Sequence, residues 1–138
     1  MPTNLNPYLN FRNSARAALE FYGGVLGAAP TVSTFGEFGM SQDPADADLI
    51  MHGQITSPSG LVLMAADTPS HMEVADTSNI SVSLSGEDLG ELTGYWERLS
   101  DGATVTVPLE PAPWGDTFGM LVDKFGVSWM VNVVGTQA

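Results

Sequence analysis

Two segments of this chain, one near its start and one past its middle, carry the same sequence pattern. Each begins with a short strand-like run, at Tyr8–Phe11 in the first copy and at residues 80–83 in the second. A polar turn and an amphipathic segment follow in both copies, over Ala15–Leu26 and over Leu89–Leu99. A supersecondary unit of this kind must bury its apolar face against further elements. The repeat therefore predicts two halves built in the same way.

The two amphipathic segments predict helices because their apolar residues recur at three- and four-residue spacing. Asn13 or Ser14 is expected to cap the first helix. In the second copy, residues 85–88 resemble a capping box that begins with Ser85. Gly27 and Gly102 are the residues expected to end the two helices.

Three strands are predicted after each helix, so each half has the order βαβββ. The expected strands are 31–35, 49–56 and 61–66 in the first half, and 104–107, 118–122 and 127–134 in the second. Gly, Pro, Ser and Asp clusters separate them and supply the turns. We predict an α+β fold, a single domain of paired βαβββ modules forming a curved mixed sheet. Its repeats span about 5–67 and about 79–135, with a linker at 68–78.

Composition excludes several classes of function. The 138 residues carry a net charge of −12, which opposes binding to nucleic acid or to anionic membrane surfaces. The chain has no cysteine, so disulfides and thiolate metal sites are excluded. No long apolar run or secretory signal pattern is seen, which favours a cytoplasmic globular protein.

A family resemblance rests on four short motifs. Residues 114–119 read Trp-Gly-Asp-Thr-Phe-Gly, residues 123–126 read Asp-Lys-Phe-Gly, residues 129–132 read Trp-Met-Val-Asn, and residues 7–11 read Pro-Tyr-Leu-Asn-Phe. Together they resemble the PhnB-like branch of the glyoxalase/bleomycin-resistance/dioxygenase superfamily. The resemblance implies a vicinal-oxygen-chelate fold, in which paired modules curl into a cup, and association of two chains as a homodimer. Taken alone, residues 123–126 indicate a tight turn, and the alternation around Trp129 indicates core packing.

The resemblance also implies where a metal would be held. Members that use a metal place His, Gln or Glu at four points of the cup, which fall here on Pro7, Met64, Asn79 and Met130. Proline offers no donor, and a thioether is too soft for zinc, iron or nickel in their divalent forms. We therefore expect no metal and no cofactor at these positions.

His52 is the best candidate for a catalytic group. It alternates with Gln54 along a predicted strand, so the two side chains share one face. An imidazole titrates near neutral pH and can transfer protons, although a histidine satisfied by one neighbouring hydrogen bond is the structural alternative. The strand alternation also places Pro7, Leu9 and Phe11 on the wall of the cup. The candidate ligand-binding residues are His52, Gln54, Met64, Asn79, Trp114, Met130 and Asn132.

These residues predict a pocket with apolar walls and a few polar groups, which is typical of small-molecule sites. The expected function is the binding of a small organic molecule in the cup without the superfamily metal. Three alternatives stay open: a lyase or dioxygenase relative with a metal recruited by His52, a drug-sequestering protein like the bleomycin-resistance branch, and a purely structural dimer module.

Overall fold

The computed structural model describes residues 4–72 and 79–135, and the chain forms two compact units, Met1–Asp76 and Thr77–Ala138. Each unit has the order βαβββ and contains one four-stranded mixed sheet. The predicted α+β class and the paired modules are confirmed. The linker predicted at 68–78 lies partly outside the described residues. No helix within the described ranges is long and apolar enough to cross a membrane.

The first unit contains one helix and four strands. Its sheet has the order β1-β4-β3-β2, in which β1 runs parallel to β4 and the other neighbours are antiparallel. Two short 3-10 turns occupy the long loop between β2 and β3. The elements are β1 (Tyr8–Phe11), α1 (Ala15–Leu26), β2 (Thr31–Thr34), β3 (Ile50–Thr56) and β4 (Val62–Asp67).

Helix α1 covers one face of this sheet. Its apolar stripe is fully buried, as the spacing of those residues predicts. Leu19 reaches the backbone of β3 at Gly53, where a Cβ would lie 2.2 Å from its Cδ1 atom. The absence of a side chain at Gly53 therefore lets the helix approach the sheet closely.

We expect Gly53→Ala to destabilise the protein by about 1–3 kcal/mol, because the added methyl overpacks the contact with Leu19. Gly24→Ala is the matched control, since a Cβ at this exposed helical position meets nothing within 4 Å. That control should stabilise the fold by about 0.5–1 kcal/mol. Urea unfolding of the two variants measures the difference, and equal stabilities would contradict the close approach.

The predicted N-cap of α1 is confirmed at Ser14, but the Ser14 side chain makes no capping hydrogen bond. The carboxylate of Asp67, at the end of β4, instead accepts from the backbone N–H of Ala15 at 2.9 Å. A residue distant in sequence thus satisfies the helix terminus, and no local motif could have indicated it. The predicted end at Gly27 is confirmed, with φ of 81°.

The second unit repeats the arrangement with the sheet order β5-β8-β7-β6, in which β5 runs parallel to β8. Helix α2 covers the face on which Trp129, Val131 and Leu121 are buried. Trp129 is therefore a core residue, as its alternation predicts. The elements are β5 (Val82–Gly86), α2 (Leu89–Leu99), β6 (Thr104–Pro111), β7 (Thr117–Val122) and β8 (Ser128–Val133).

The start of the second unit differs from the prediction in two respects. Strand β5 begins at Val82 and continues to Gly86, because its parallel pairing with β8 extends that far. Ser85 therefore lies in the strand and is not the helix cap. Asp88 is the N-cap residue, and its carboxylate accepts from the N–H of Glu91 at 3.0 Å.

The turn at residues 123–126 is confirmed and is organised by Asp123. One carboxylate oxygen accepts from the backbone N–H groups of Phe125 at 2.8 Å and Val127 at 3.0 Å. The other accepts from the indole N–H of Trp129 at 2.8 Å. Asp123 thereby joins the turn to the core of the second unit.

Candidate functional site

The sheet of the first unit has one face that α1 does not cover, which we term the first open face. Register places the side chains of this face in a row across the four strands, because directly paired residues point to the same side. Met64 pairs with Tyr8 on one side and with Gln54 on the other. His52, two residues before Gln54 in β3, pairs with Ser33 of β2. The central residues of the first open face are therefore Tyr8, Ser33, His52, Gln54 and Met64.

The prediction that Leu9 and Phe11 share this face with His52 is wrong. Leu9 pairs with Ala65 and Phe11 with Asp67, which places both on the side covered by α1. Alternation that starts from Pro7 differs from the observed register by one residue. A one-residue shift moves a whole strand to the opposite face, so Tyr8, and not its neighbours, lies on the same face as His52.

Tyr8 and His52 form the polar centre of the first open face. The Tyr8 hydroxyl lies 3.3 Å from Nδ1 of His52, and the two rings are 5.7 Å apart. Partial burial raises the pKa of Tyr8 above its ordinary value of 10.0, so the phenol is neutral at physiological pH. Either atom can be the donor, depending on the imidazole tautomer: in the tautomer in which Nδ1 accepts from the phenol, the ring N–H is on Nε2 and can donate to a bound group.

Gln54 and Met64 flank this pair. The amide Nε2 of Gln54 donates to the hydroxyl of Thr56 at 3.2 Å, which orients the amide along its own strand. Met64 is half-buried and lies between Tyr8 and Gln54 in register. Its thioether supplies an adaptable apolar surface beside the hydrogen-bonding groups.

The second unit also has a face that its helix does not cover, which we term the second open face. Met130 pairs with Ser83 and with Met120, and Asn132 pairs with Phe118. These pairs bring two of the predicted site residues, Met130 and Asn132, onto one face of one sheet.

Asp116 holds the end of the second open face together. Its carboxylate accepts from the side-chain amide of Asn132 at 3.0 Å and from the backbone N–H of Gly135 at 2.9 Å. The hydrogen bonds from Gly135, Asn132 and Trp114 lower the pKa of Asp116 below its ordinary value of 3.8. The carboxylate is therefore ionised at neutral pH. Asp116 is not among the residues predicted from the sequence, because its contacts with Asn132 and Gly135 join segments that are apart in the chain.

The structure brings five of the seven predicted site residues into two groups. His52, Gln54 and Met64 lie on the first open face, and Met130 and Asn132 lie on the second. Trp114 is exposed in the turn between β6 and β7, where its ring packs edge-on against Phe118 at 5.6 Å. Asn79 precedes β5, is exposed, and belongs to neither face.

The residues at the superfamily's metal positions do not fit a metal. The directly paired side chains at these positions are Tyr8 with Met64 and Ser83 with Met130, and none of these four is an imidazole or a carboxylate. The neutral phenol of Tyr8 is a poor donor to a divalent ion, and thioethers are too soft for zinc or iron(II). Within residues 4–72 and 79–135, no three His, Asp or Glu side chains are grouped closely enough to hold a metal ion.

Solved structures with this fold come from several bacteria. Protein PA1353 from Pseudomonas aeruginosa is 34% identical, covers 98% of this chain and all of its own, and superposes with a TM-score of 0.80. The PhnB protein from Bacillus cereus is 23% identical, covers 96% of this chain and all of its own, and gives a TM-score of 0.75. The second similarity supports the PhnB-like resemblance at the level of fold.

Sequence comparison agrees with the structural one. Protein YjdN from Escherichia coli is 28% identical over 96% of this chain and 97% of its own length. The family model described as Glyoxalase/Bleomycin resistance protein/Dioxygenase superfamily matches residues 4–131, which is nearly the whole chain. The chain therefore belongs to the glyoxalase/bleomycin resistance protein/dioxygenase superfamily.

Proposed function

We propose that this protein binds a small organic molecule on the first open face. The observation that carries the proposal is the Tyr8–His52 pair, which lies on a sheet face without a covering helix, beside the half-buried Met64. A sparse set of hydrogen-bonding groups on a partly apolar surface is the composition that small-molecule sites share.

The chemistry of the pair favours a ligand with a carbonyl or hydroxyl oxygen. With Nδ1 engaged by the Tyr8 hydroxyl, Nε2 is the atom of His52 left to hydrogen-bond with a ligand, and it donates in the tautomer in which Nδ1 accepts. The amide of Gln54 has already used one N–H on Thr56, but its carbonyl oxygen is available as an acceptor. The net charge of −12 disfavours anions, so a neutral molecule suits the face best.

Homodimer formation and a cytoplasmic location stay predictions. The first is supported by the superfamily resemblance and can be checked by light scattering on the purified chain. Neither is needed for the small-molecule proposal, because every residue that it uses lies on one sheet of one unit.

Methionine methyl NMR can test the proposal, because the methionines report from different places. Met64 lies on the first open face, whereas Met40 and Met72 are exposed on loops and serve as internal controls. The probes are benzamide, acetophenone and benzyl alcohol, each of which joins an apolar ring to a hydrogen-bonding oxygen. We expect at least one probe to shift the Met64 signal saturably. Fluorobenzene, which lacks that oxygen, should bind more weakly.

His52→Ala should weaken binding of the same probe about fivefold, because one hydrogen bond is lost. Tyr8→Phe should have a smaller effect in the same direction, since it removes only the group that orients the imidazole. His71→Ala is the matched control, because His71 is the other histidine of the chain and lies exposed outside the first open face. Binding that is unchanged in His52→Ala, or equally reduced in His71→Ala, would contradict the proposal.

A further inference from the structure

Two aromatic rings and two carboxylates lie together at one end of the second unit. We term this group the aromatic corner, and it consists of Trp114, Phe118, Asp116 and Glu110. Trp114 occupies the turn between β6 and β7 and is 61% exposed. Phe118 and Glu110 are paired directly across the same two strands, so their side chains share a face.

The turn that carries Trp114 is well defined. Its backbone is closed by hydrogen bonds from Ala112 N–H to the Asp116 carbonyl at 2.7 Å and from Gly115 N–H to the Ala112 carbonyl at 3.0 Å. Gly115 takes φ of 103°, which a residue with a side chain rarely adopts. The exposed indole is therefore presented by an ordered turn.

One contact orients the Trp114 side chain itself. Its ring packs edge-on against Phe118 with the centroids 5.6 Å apart. An edge-on contact of this kind leaves an aromatic face exposed. The corner thus offers a rigid aromatic surface that is still open to solvent.

Two carboxylates place negative charge beside these rings. Asp116 accepts hydrogen bonds from the side-chain amide of Asn132 and the backbone N–H of Gly135, which lower its pKa, so it stays ionised. Glu110 is exposed. The only basic residues of the second unit are Arg98 and Lys124. Arg98 lies over the ring of Tyr95, and Lys124 lies 3.5 Å from Asp101.

We propose that the aromatic corner binds an organic ammonium group, with the cation against the Trp114 ring and within the field of Asp116 and Glu110. Tryptophan is the best aromatic partner for a cation, and quaternary ammonium groups are recognised by such faces. A weakly hydrated organic cation is attracted both by the aromatic ring and by the carboxylates. A neutral molecule of the same shape makes only the apolar contact.

This site shares no residue with the first open face. It belongs to the other unit, so either proposal can fail while the other stands. The two sites also present different groups to a ligand. The first open face has a neutral phenol and an imidazole, whereas the aromatic corner has two carboxylates.

Choline and its uncharged isostere 3,3-dimethyl-1-butanol distinguish a cation site from an apolar patch. The indole N–H signals of the protein can be followed by NMR during titration with each compound. We expect choline to shift the Trp114 signal saturably in the millimolar range and the isostere to bind at least about fivefold more weakly. The signal of Trp129, which is buried and bonded to Asp123, should stay in place.

Variants test whether choline binds at the aromatic corner. In each variant, binding is followed by the shifts that choline causes in the backbone amide signals of Gly115 and Gly119. Trp114→Ala should weaken choline binding about tenfold, whereas Trp114→Phe should retain part of it. Glu110→Gln should weaken binding by a smaller factor of about two, because one exposed charge is lost. Glu97→Gln is the control for charge, and Phe38→Ala is the control for an exposed aromatic; both should bind as the wild type does.

Three results would overturn the proposal. The first is the absence of a saturable shift with choline, and the second is equal binding of the uncharged isostere. The third is equal weakening in Glu97→Gln and Glu110→Gln, which would show a general attraction to the acidic chain. Thermal unfolding of each variant accompanies the titrations, and because Trp114 and Glu110 are exposed, their replacement should leave the fold intact.

Discussion

Replacing Asp123 by alanine is expected to cost about 3 kcal/mol or more of folding free energy. The carboxylate is only 4% exposed and accepts from three N–H donors, including the indole of the buried Trp129. A buried donor left without a partner costs about 1–3 kcal/mol, and alanine leaves the indole in that state. Urea unfolding, followed by tryptophan fluorescence, measures the loss.

Two further variants separate the turn from the general effect of removing a charge. Asp123→Asn keeps one oxygen that can accept from the N–H groups of the turn. The indole of Trp129 then either faces the amide N–H₂ group or shares that one oxygen. About half of the loss in folding free energy should therefore remain. Asp101→Ala removes an exposed carboxylate that lies 3.5 Å from Lys124 and should cost less than about 1 kcal/mol. A loss at Asp123 no larger than that at Asp101 would contradict the role of the buried carboxylate.

Asp67→Ala is expected to produce a loss of similar size in the first unit. One carboxylate oxygen of Asp67 accepts from Ala15 N–H at 2.9 Å, and the other accepts from Ile50 N–H at 3.0 Å. The residue is 6% exposed, so alanine leaves two buried backbone donors unpaired, and the expected cost is about 3 kcal/mol. Chemical unfolding gives the free energy, and amide exchange at Ala15 and Ile50 reports where the structure loosens.

Asp43→Ala provides the matched control for Asp67. Asp43 accepts from one backbone N–H, that of Ala45 at 2.9 Å, but Asp43 is exposed, at the N-cap of a 3-10 turn. Its replacement should cost about 0.5–1 kcal/mol, as for an exposed helix cap. If the two variants lose the same stability and Ala15 exchange is unaffected, Asp67 does not tie β4 to α1 and β3.

The repeat made the architecture predictable because local patterns specify each element. The helix at Ala15–Leu26 follows from its apolar spacing, and the turn at residues 123–126 follows from its Asp and Gly. The limits of β5 were harder to predict, because Ser85 and Gly86 are residue types that are typical of turns. Their pairing with β8, which is remote in the chain, extends the strand.

The candidate site was predictable only in part, for the same physical reason. His52 and Gln54 share a face through local alternation, which the sequence displays. The partnership of His52 with Tyr8 depends on the register between β1 and β4, which sequence alternation within one strand does not specify. Asp116 bonds to Asn132 and Gly135 across a hairpin, so no short motif reveals that contact.

The most direct test of the small-molecule site is to locate a bound probe by intermolecular nuclear Overhauser effects. For the probe that binds most tightly among benzamide, acetophenone and benzyl alcohol, we predict contacts from its ring protons to the Met64 methyl group and to the Tyr8 ring. These contacts should be absent when the probe is left out, and they should persist in the His71→Ala variant. Contacts confined to Met40 or Met72, or no contacts to the first open face at saturation, would contradict the proposal.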